Sequence, residues 1–234
     1  MAKTEFFIAS SAHHYKKLNH LTLCLDDLQI PVSPSIKNLG FIFDHDMNMS
    51  DHITHLSKSL NWQIRNLWRI RRFLDYDACN NAVRALVLSR LDYGCSLLNG
   101  ITQKNLSRLQ NLQNKCARLI FRESKYNHIS PLLNRLHWLP VARRIQFRTL
   151  VHTFKVLQSS TPTYLSSILH PRQSVYSLRS TAGLTLQIPR AYKQAGDRAF
   201  SIIAPSLWNA LPLDIRTTNS ITSFKNSLKT HFYV

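Results

Sequence analysis

Apolar and polar residues alternate at helical spacing most clearly over residues 50–73, SDHITHLSKSLNWQIRNLWRIRRF. At 100° per residue, five apolar positions fall within about 80° of one another. These positions are Ile53, Leu56, Leu60, Ile64 and Leu67. Ser50 is suited to cap the first turn, and Asp51 suits the positive end of the helix dipole. The pattern therefore predicts a core-facing helix that begins at about Ser50.

The rest of the chain adds further helical patterns and several short strand-like runs. Helices are predicted at 77–90, 103–122, 141–157, 199–211 and 220–232. Runs rich in apolar, β-branched and aromatic residues predict short strands at 4–9, 21–32, 36–44 and 184–189, the second and third of them antiparallel. The predicted fold is mainly α, a helical bundle with a small N-terminal antiparallel β region and a small α+β C-terminal region.

Composition changes along the chain and indicates a division into parts. With 234 residues, the chain is long enough for one good core or for two small domains. Residues 158–176 collect Ser, Pro and Gln, which is typical of a boundary. We therefore expect strands over 1–44, a basic helical domain over 45–170 and a small C-terminal region over 176–234.

The charge of the chain is strongly positive and unevenly distributed. Thirty Lys and Arg residues stand against twelve Asp and Glu residues, which gives a formal net charge of +18. Nine of the twelve acids lie in residues 1–92, and residues 124–196 contain none. A folded, acid-free basic surface favours an anionic polymer or surface as its partner.

Basic residues share one side of three predicted helices, each set within about 80°. On the first helix they are Lys58, Arg65, Arg69 and Arg72, with Trp62 beside them. On the next two they are Lys104, Arg108, Lys115, Arg118 and Arg122, and then Arg144, Arg148 and Lys155. Separate solvated faces with one stray Trp are one interpretation. Three successive stripes favour a shared groove for a nucleic-acid backbone, with Trp62 as a stacking platform.

Patterns for catalysis are scarce. The five glycines form no phosphate-binding loop. From Tyr93 onward the only acids are Glu123, Asp197 and Asp214, whereas a two-metal active site needs several converging carboxylates. The sequence leaves a Ser–His–acid or Cys–His nucleophile open, although it has no G-x-S-x-G motif. We therefore assign no catalytic residue, no metal site and no cofactor.

Two short polar patterns invite a metal-site interpretation. His52 and His55 have the i, i+3 spacing of two ligands on a helix, but no third ligand lies in the same element. Asp26 and Asp27 lie between apolar runs, where Asp is common in turns. We interpret the histidines as an exposed pair and the acids as a hairpin turn that faces solvent.

Cysteine usage and hydropathy indicate the cellular compartment of the protein. Cys24, Cys79, Cys95 and Cys116 form no C-x-x-C pair and are predicted to be reduced, mostly packed thiols. No apolar run approaches the ~18 residues of a membrane span, and the N-terminus lacks the pattern of a signal peptide. We expect an intracellular protein, nuclear or cytoplasmic, without membrane insertion. Binding of a basic amphipathic helix to an anionic bilayer is a minor alternative.

Seven runs, in order along the chain, resemble the C-terminal part of reverse transcriptases encoded by jockey-like non-LTR (LINE-type) retrotransposons. The runs are LGFIFD (39–44), ALVLSRLDYGCSLLNG (85–100), LSRLQNLQNKCARLI (106–120), HISPLLNRLHWLPVARRIQF (128–147), TPTYLSSIL (161–169), LRST (178–181) and RAFSIIAPSLWNALPLDIR (198–216). Together they cover essentially the whole chain.

The resemblance implies the tail of the polymerase palm over residues 1–44, followed by a thumb-like domain and the C-terminal region. In the family, the thumb holds the template–primer duplex. The family's fingers and its metal-binding aspartates would precede Lys3, and Asp26–Asp27 is not a copy of them. The chain is therefore expected to be a truncated, non-catalytic fragment of a transposable element's polymerase. It would bind RNA, DNA or their hybrid without strong sequence preference.

Two other functions stay open from the sequence. Residues 4–9 resemble the edge of a palm sheet and would dock on a full-length reverse transcriptase chain. Alternatively, the chain is the product of a decayed element copy and has no selected function.

Overall fold

The chain is mainly helical with a small β region near the N-terminus, which confirms the predicted fold class. The structure is a computed structural model that describes residues 4–18, 20–25, 28–172, 185–192 and 194–233. The chain divides into two compact units. Unit 1 contains residues 1–91 and 101–123, and unit 2 contains residues 92–100 and 124–234. The three-part domain division stays a prediction.

The N-terminal strands form two small sheets in unit 1. Strands β2 (Thr22–Leu25) and β3 (Leu28–Ser33) pair antiparallel, so the run 21–32 contains two paired strands, as the interpretation of its two acids as a hairpin turn implies. Asp26 and Asp27 lie outside the described residues. Strand β1 (Phe6–Phe7) pairs in parallel with β3 and gives the sheet order β1-β3-β2. The strand at residues 4–9 therefore has a partner within the chain.

The second sheet is a tight hairpin that leads into the helices. Strands β4 (Ser35–Asn38) and β5 (Phe41–Asp44) are joined by Leu39 and Gly40, whose φ angles are 47° and 88°. Positive φ at both central residues is the geometry that joins twisted antiparallel strands in two residues. The predicted run 36–44 is therefore also a hairpin. Helix α1 (Ala12–Leu18) precedes both hairpins.

The helices of unit 1 follow the predicted apolar stripes. They are α2 (Ser50–Ile70) with a 3-10 turn at Arg71–Phe73, α3 (Tyr76–Val83) with a π-helical segment at Arg84–Leu88, α4 (Ser89–Asp92), whose last residue belongs to unit 2, and α5 (Gln103–Phe121). All five apolar residues of the predicted α2 stripe are buried. The predicted cap is wrong, because Ser50 is the first helical residue and makes no cap bond. Asp44 accepts hydrogen bonds from the backbone N–H groups of Asn48 and Ser50 instead.

Unit 2 packs helices around a cluster of aromatic rings. Its elements are a 3-10 turn (Cys95–Leu98), α6 (Ser130–Arg135), α7 (Val141–Ser159), α8 (Thr163–Ser166), α9 (Gln194–Asp197), α10 (Phe200–Asn209), α11 (Leu213–Arg216) and α12 (Ile221–Tyr233). The ring of Phe224 stacks on Phe154 at 4.3 Å and on Trp208 at 5.9 Å. These contacts join α7, α10 and α12 into one core.

The predicted strand near residue 186 and the predicted absence of a membrane span can both be compared with the structure. Of the predicted strand 184–189, residues 185–189 form a single bridge, between Leu186 and Pro171. Leu184 and the run LRST (178–181) lie outside the described residues. Within the described ranges, none of the helices is both long and apolar enough to cross a bilayer.

Candidate nucleic-acid interface

Helices α2 and α5 pack side by side and run in the same direction. Arg108 Nη1 donates a hydrogen bond to Thr54 Oγ1 at 3.0 Å, and Lys115 Nζ donates to Asn61 Oδ1 at 2.7 Å. The contacts advance by seven residues on both helices, which is two helical turns. Two of the predicted basic residues on α5 therefore lie along the edge where α5 meets α2.

Basic residues of α2 adjoin the same edge. Lys58 follows Thr54 by four residues, and Arg65 follows Asn61 by four, so each pair lies on one side of the helix with Cβ atoms about 5–6 Å apart. Lys58 and Arg65 are exposed, and the described residues make no hydrogen bond or ion pair with either side chain. Cations of α2 therefore lie beside those of α5.

Arg122 extends this arrangement at the end of α5. It follows Lys115 by seven residues, and its Nη2 atom lies 3.4 Å from the carbonyl oxygen of Arg71 and 3.5 Å from that of Leu74. We call the surface formed by Lys58, Arg65, Arg108, Lys115 and Arg122 the cationic seam. From Arg108 to Arg122 it is roughly 21 Å long at the rise of an α-helix.

The cationic seam places like charges side by side on α2 and α5. Ion pairs elsewhere in the described part of the chain join His45 to Asp46 and Asp92 to two arginines of unit 2. Like charges that are adjacent on helices repel one another. An anionic polymer with regularly spaced charges relieves this repulsion and releases its own counterions.

The remaining predicted residues of α2 and α5 have different surroundings. Lys104 and Arg69 are exposed, whereas Arg118 is half-buried. The Arg72 guanidinium lies 4.6 Å from the centre of the Phe73 ring. Arg72 therefore contacts an aromatic ring.

Trp62 is at the surface of unit 1. Trp62 is 59% exposed, so its ring lies outside the core of unit 1. It lies four residues after Lys58 and three before Arg65, so it adjoins the cationic seam on α2. The ring is accessible for stacking.

Sequence reasoning missed two residues on this side of unit 1. Phe73, in the 3-10 turn, is 73% exposed and lies four residues after Arg69. Arg90 of α4 donates a hydrogen bond from Nη1 to Ser59 Oγ of α2 at 2.8 Å. Helical spacing gave no signal for Phe73 because it lies in the 3-10 turn beyond α2, and the position of Arg90 depends on the packing of α4 against α2.

The stripe on α7 lies in unit 2 and is partly neutralised. Arg144 forms two hydrogen bonds with the carboxylate of Asp92, and Arg148 Nη2 lies 3.3 Å from the same group. Lys155 is exposed. One carboxylate therefore offsets part of the charge of this stripe, and a groove shared by all three stripes stays a prediction.

The histidine pair differs from its interpretation as an exposed pair. His52 is buried and stacks on Phe41 with ring centres 4.0 Å apart. Its Nδ1 atom accepts a hydrogen bond from the backbone N–H of Ile42 at 3.4 Å. Burial, and to a lesser degree the neighbouring His55, lowers the pKa of His52 below its usual 6.5. His52 is therefore a neutral packing residue, and the exposed-pair interpretation is wrong for it.

The described cysteines are free thiols, three of them buried. Burial raises the pKa of Cys95 to about 11 and that of Cys116 to about 12, so both are protonated at neutral pH. Cys24 is exposed, unlike the packed thiol expected for most of the set. In the part of the chain that the structure describes, no three His, Cys, Asp or Glu side chains are placed to hold a metal ion.

Comparison of the chain with protein-family models, with curated proteins and with solved structures finds no match.

Proposed function

We propose that this chain binds RNA, DNA or their hybrid through the phosphate backbone, without polymerase chemistry of its own. It would correspond to the thumb and C-terminal region of a jockey-like non-LTR retrotransposon reverse transcriptase. The observation that carries the proposal is the cationic seam, where the packing of α2 against α5 brings together basic residues that are far apart in sequence.

The chemistry of the seam suits phosphate more than a protein carboxylate. Neutral oxygens of Thr54 and Asn61 hold Arg108 and Lys115 in place, so less side-chain freedom is lost when an anion binds. Seven-residue repeats on α5 space the cations by about 10.5 Å along a straight line. A straight, regularly charged ligand fits such a row, and sequence discrimination is not expected because no base edge is read.

Salt titration tests the proposal. Neutralisation of about five phosphates predicts that log affinity falls with log salt at a slope of roughly −4 to −5 on duplex DNA and about −3.5 on a single strand. Replacing Lys58 and Arg65 together by Ala should flatten the slope on duplex DNA by about 2 units whatever its sequence, because both belong to the cationic seam and each substitution removes one phosphate contact. Fluorescence anisotropy with a labelled oligonucleotide measures the slope.

A matched pair of substitutions separates local contact from total charge. Lys125 and Lys225 are exposed cations of unit 2, so Lys125→Ala with Lys225→Ala changes the net charge by the same amount. This control should leave most of the slope in place. If both double variants change the slope equally, the cationic seam is ordinary solvated surface and the proposed function is wrong.

A further inference from the structure

Two exposed aromatic residues lie on α2 and on the 3-10 turn that follows it. Trp62 is 59% exposed and Phe73 is 73% exposed. Arg69 follows Trp62 by seven residues, which keeps both on one side of α2, and Phe73 comes four residues after Arg69, in the 3-10 turn that continues the helix. The guanidinium of Arg72 lies against the Phe73 ring. We call Trp62 and Phe73 the aromatic row.

The cationic seam runs along one edge of the aromatic row. Lys58 and Arg65 belong to the seam and are the i−4 and i+3 neighbours of Trp62 on α2. Across the surface of unit 1, cations of α5 are followed by cations of α2 and then by exposed rings. Charges and ring faces are therefore arranged in two adjoining lines.

A single strand of nucleic acid has the complementary arrangement. Its phosphates form one line, and its unpaired bases project beside them with free faces that stack on aromatic side chains. In a duplex the bases are paired and stacked on one another, so the rings have no face to contact. The charge of the seam and the apolar rings beside it are together complementary to an unpaired strand.

On the basis of the proposed function, we propose that the site on unit 1 takes single-stranded RNA or DNA, with phosphates on the cationic seam and unpaired bases stacked on Trp62 and Phe73. The two rings are separated by eleven residues, or roughly 17 Å along α2. A strand of about 10 nucleotides is long enough to cover both, within the range of single-strand site sizes.

Oligonucleotides with and without bases test this inference. Fluorescence anisotropy is measured at fixed low salt with ten-nucleotide oligothymidine, an abasic strand of the same length, a blunt ten-base-pair duplex and oligouridine. The wild-type chain should bind oligothymidine about 5- to 100-fold more tightly than the abasic strand, as stacking of one base predicts. The oligouridine arm shows which sugar the site accepts, and a preference over the abasic strand in either arm supports the inference.

Substitutions then assign the preference to the aromatic row. Trp62→Ala with Phe73→Ala should lower affinity for oligothymidine, leave duplex affinity unchanged and remove the preference over the abasic strand. Trp62→Phe keeps a ring and should retain the preference, which shows that the site is folded. Tyr126→Ala is the matched control, because Tyr126 is 83% exposed with the Lys125 ammonium 5.0 Å from its ring centre.

The outcomes separate this inference from the proposed function. Equal wild-type affinity for strands with and without bases overturns the inference, as does a preference that survives loss of both rings. In either case, salt-dependent binding that weakens with Lys58→Ala and Arg65→Ala leaves the proposed function intact. Absence of salt-dependent binding to every probe overturns both.

Discussion

Two neighbouring arginines at the end of α2 have opposite environments. Arg71 is 7% exposed, and its guanidinium donates to the carbonyl oxygens of Leu119, Ile120 and Leu74 at 2.6–2.7 Å. The last carbonyl groups of a helix have no partner within it, and a cation there is favoured by the helix dipole. Arg71 therefore caps the C-terminus of α5, whereas the exposed Arg72 contacts Phe73.

Replacement of Arg71 by Ala should destabilise the chain strongly. The substitution leaves three carbonyl groups without their charged donor, which predicts a loss of about 2–4 kcal/mol in the free energy of unfolding. Urea denaturation followed by circular dichroism measures the loss. Arg72→Ala is the control with the same change in charge and should cost under about 1 kcal/mol as an exposed position. Equal losses for the two variants would contradict the capping role of Arg71.

At the scale of elements, the junction between β5 and α2 combines two polar side chains. Asp44 accepts from the backbone at the start of α2, and His52 accepts from the backbone of β5 while it stacks on Phe41. Protonation of Nδ1 would turn this acceptor into a donor that faces another donor. The hairpin and helix are therefore joined by a contact that requires neutral His52.

Stability should fall on acidification because of this junction. The pKa of His52 is lowered in the folded chain by burial and by His55, so the unfolded chain binds a proton first as the pH falls below about 6.5. The stabilising contribution is present above pH 6.5 and is lost toward the folded pKa. Urea denaturation at pH 7.5 and 5.5 should give a larger drop for the wild-type chain than for His52→Asn, which keeps an acceptor but does not titrate.

The contribution of His52 is the difference between the stability losses of the wild-type chain and of His52→Asn. This comparison is needed because His152 of unit 2 also has a pKa lowered by burial and by nearby Lys155 and Arg148. This second histidine contributes equally to both measurements. Identical drops for wild type and His52→Asn would show that the junction does not depend on the neutral imidazole.

Helices were easier to predict from this sequence than strand pairing or side-chain partners. The apolar stripe of α2 was predicted correctly because the residues that a helix buries recur at its local periodicity. A hairpin turn was expected at Asp26 and Asp27, but from its residue pattern the run 36–44 was taken for a single strand, because pairing depends on the turn and Leu39 is an unusual residue for a turn with positive φ. The role of Arg71 was missed, although it falls on the apolar side of α2, because a basic residue is expected at the surface unless its partner is known.

The candidate site was predicted only in part, because the sequence shows local patterns on each helix but not the contacts between helices. The basic stripes of α2 and α5 are local patterns, but their alignment at Thr54 and Asn61 depends on the parallel packing of the two helices. Phe73 follows the end of the regular helix, where the 100° rule no longer applies. The neutralisation of Arg144 by Asp92 joins residues 52 positions apart and left no local signal.

At the scale of the whole molecule, several of the few acids have structural roles. Asp44 and Asp75 accept hydrogen bonds from backbone N–H groups at helix starts, and Asp92 holds Arg144. These carboxylates are engaged far apart in the chain and not at one centre. The net charge of +18 is therefore left largely on basic surface, which favours salt-dependent association with polyanions.

Binding without chemistry is the expected behaviour of the whole chain. The proposed function includes no polymerase chemistry, and phosphoryl transfer by two metal ions would need carboxylates that converge on one site. We expect the purified chain to bind a labelled primer–template at low salt and yet incorporate no nucleotide with Mg²⁺ or Mn²⁺. A gel assay of primer length measures incorporation, with an active reverse transcriptase on the same substrate as the positive control. Template-directed extension that persists after Asp26→Asn with Asp27→Asn would reveal an active site elsewhere in the chain and refute the non-catalytic proposal.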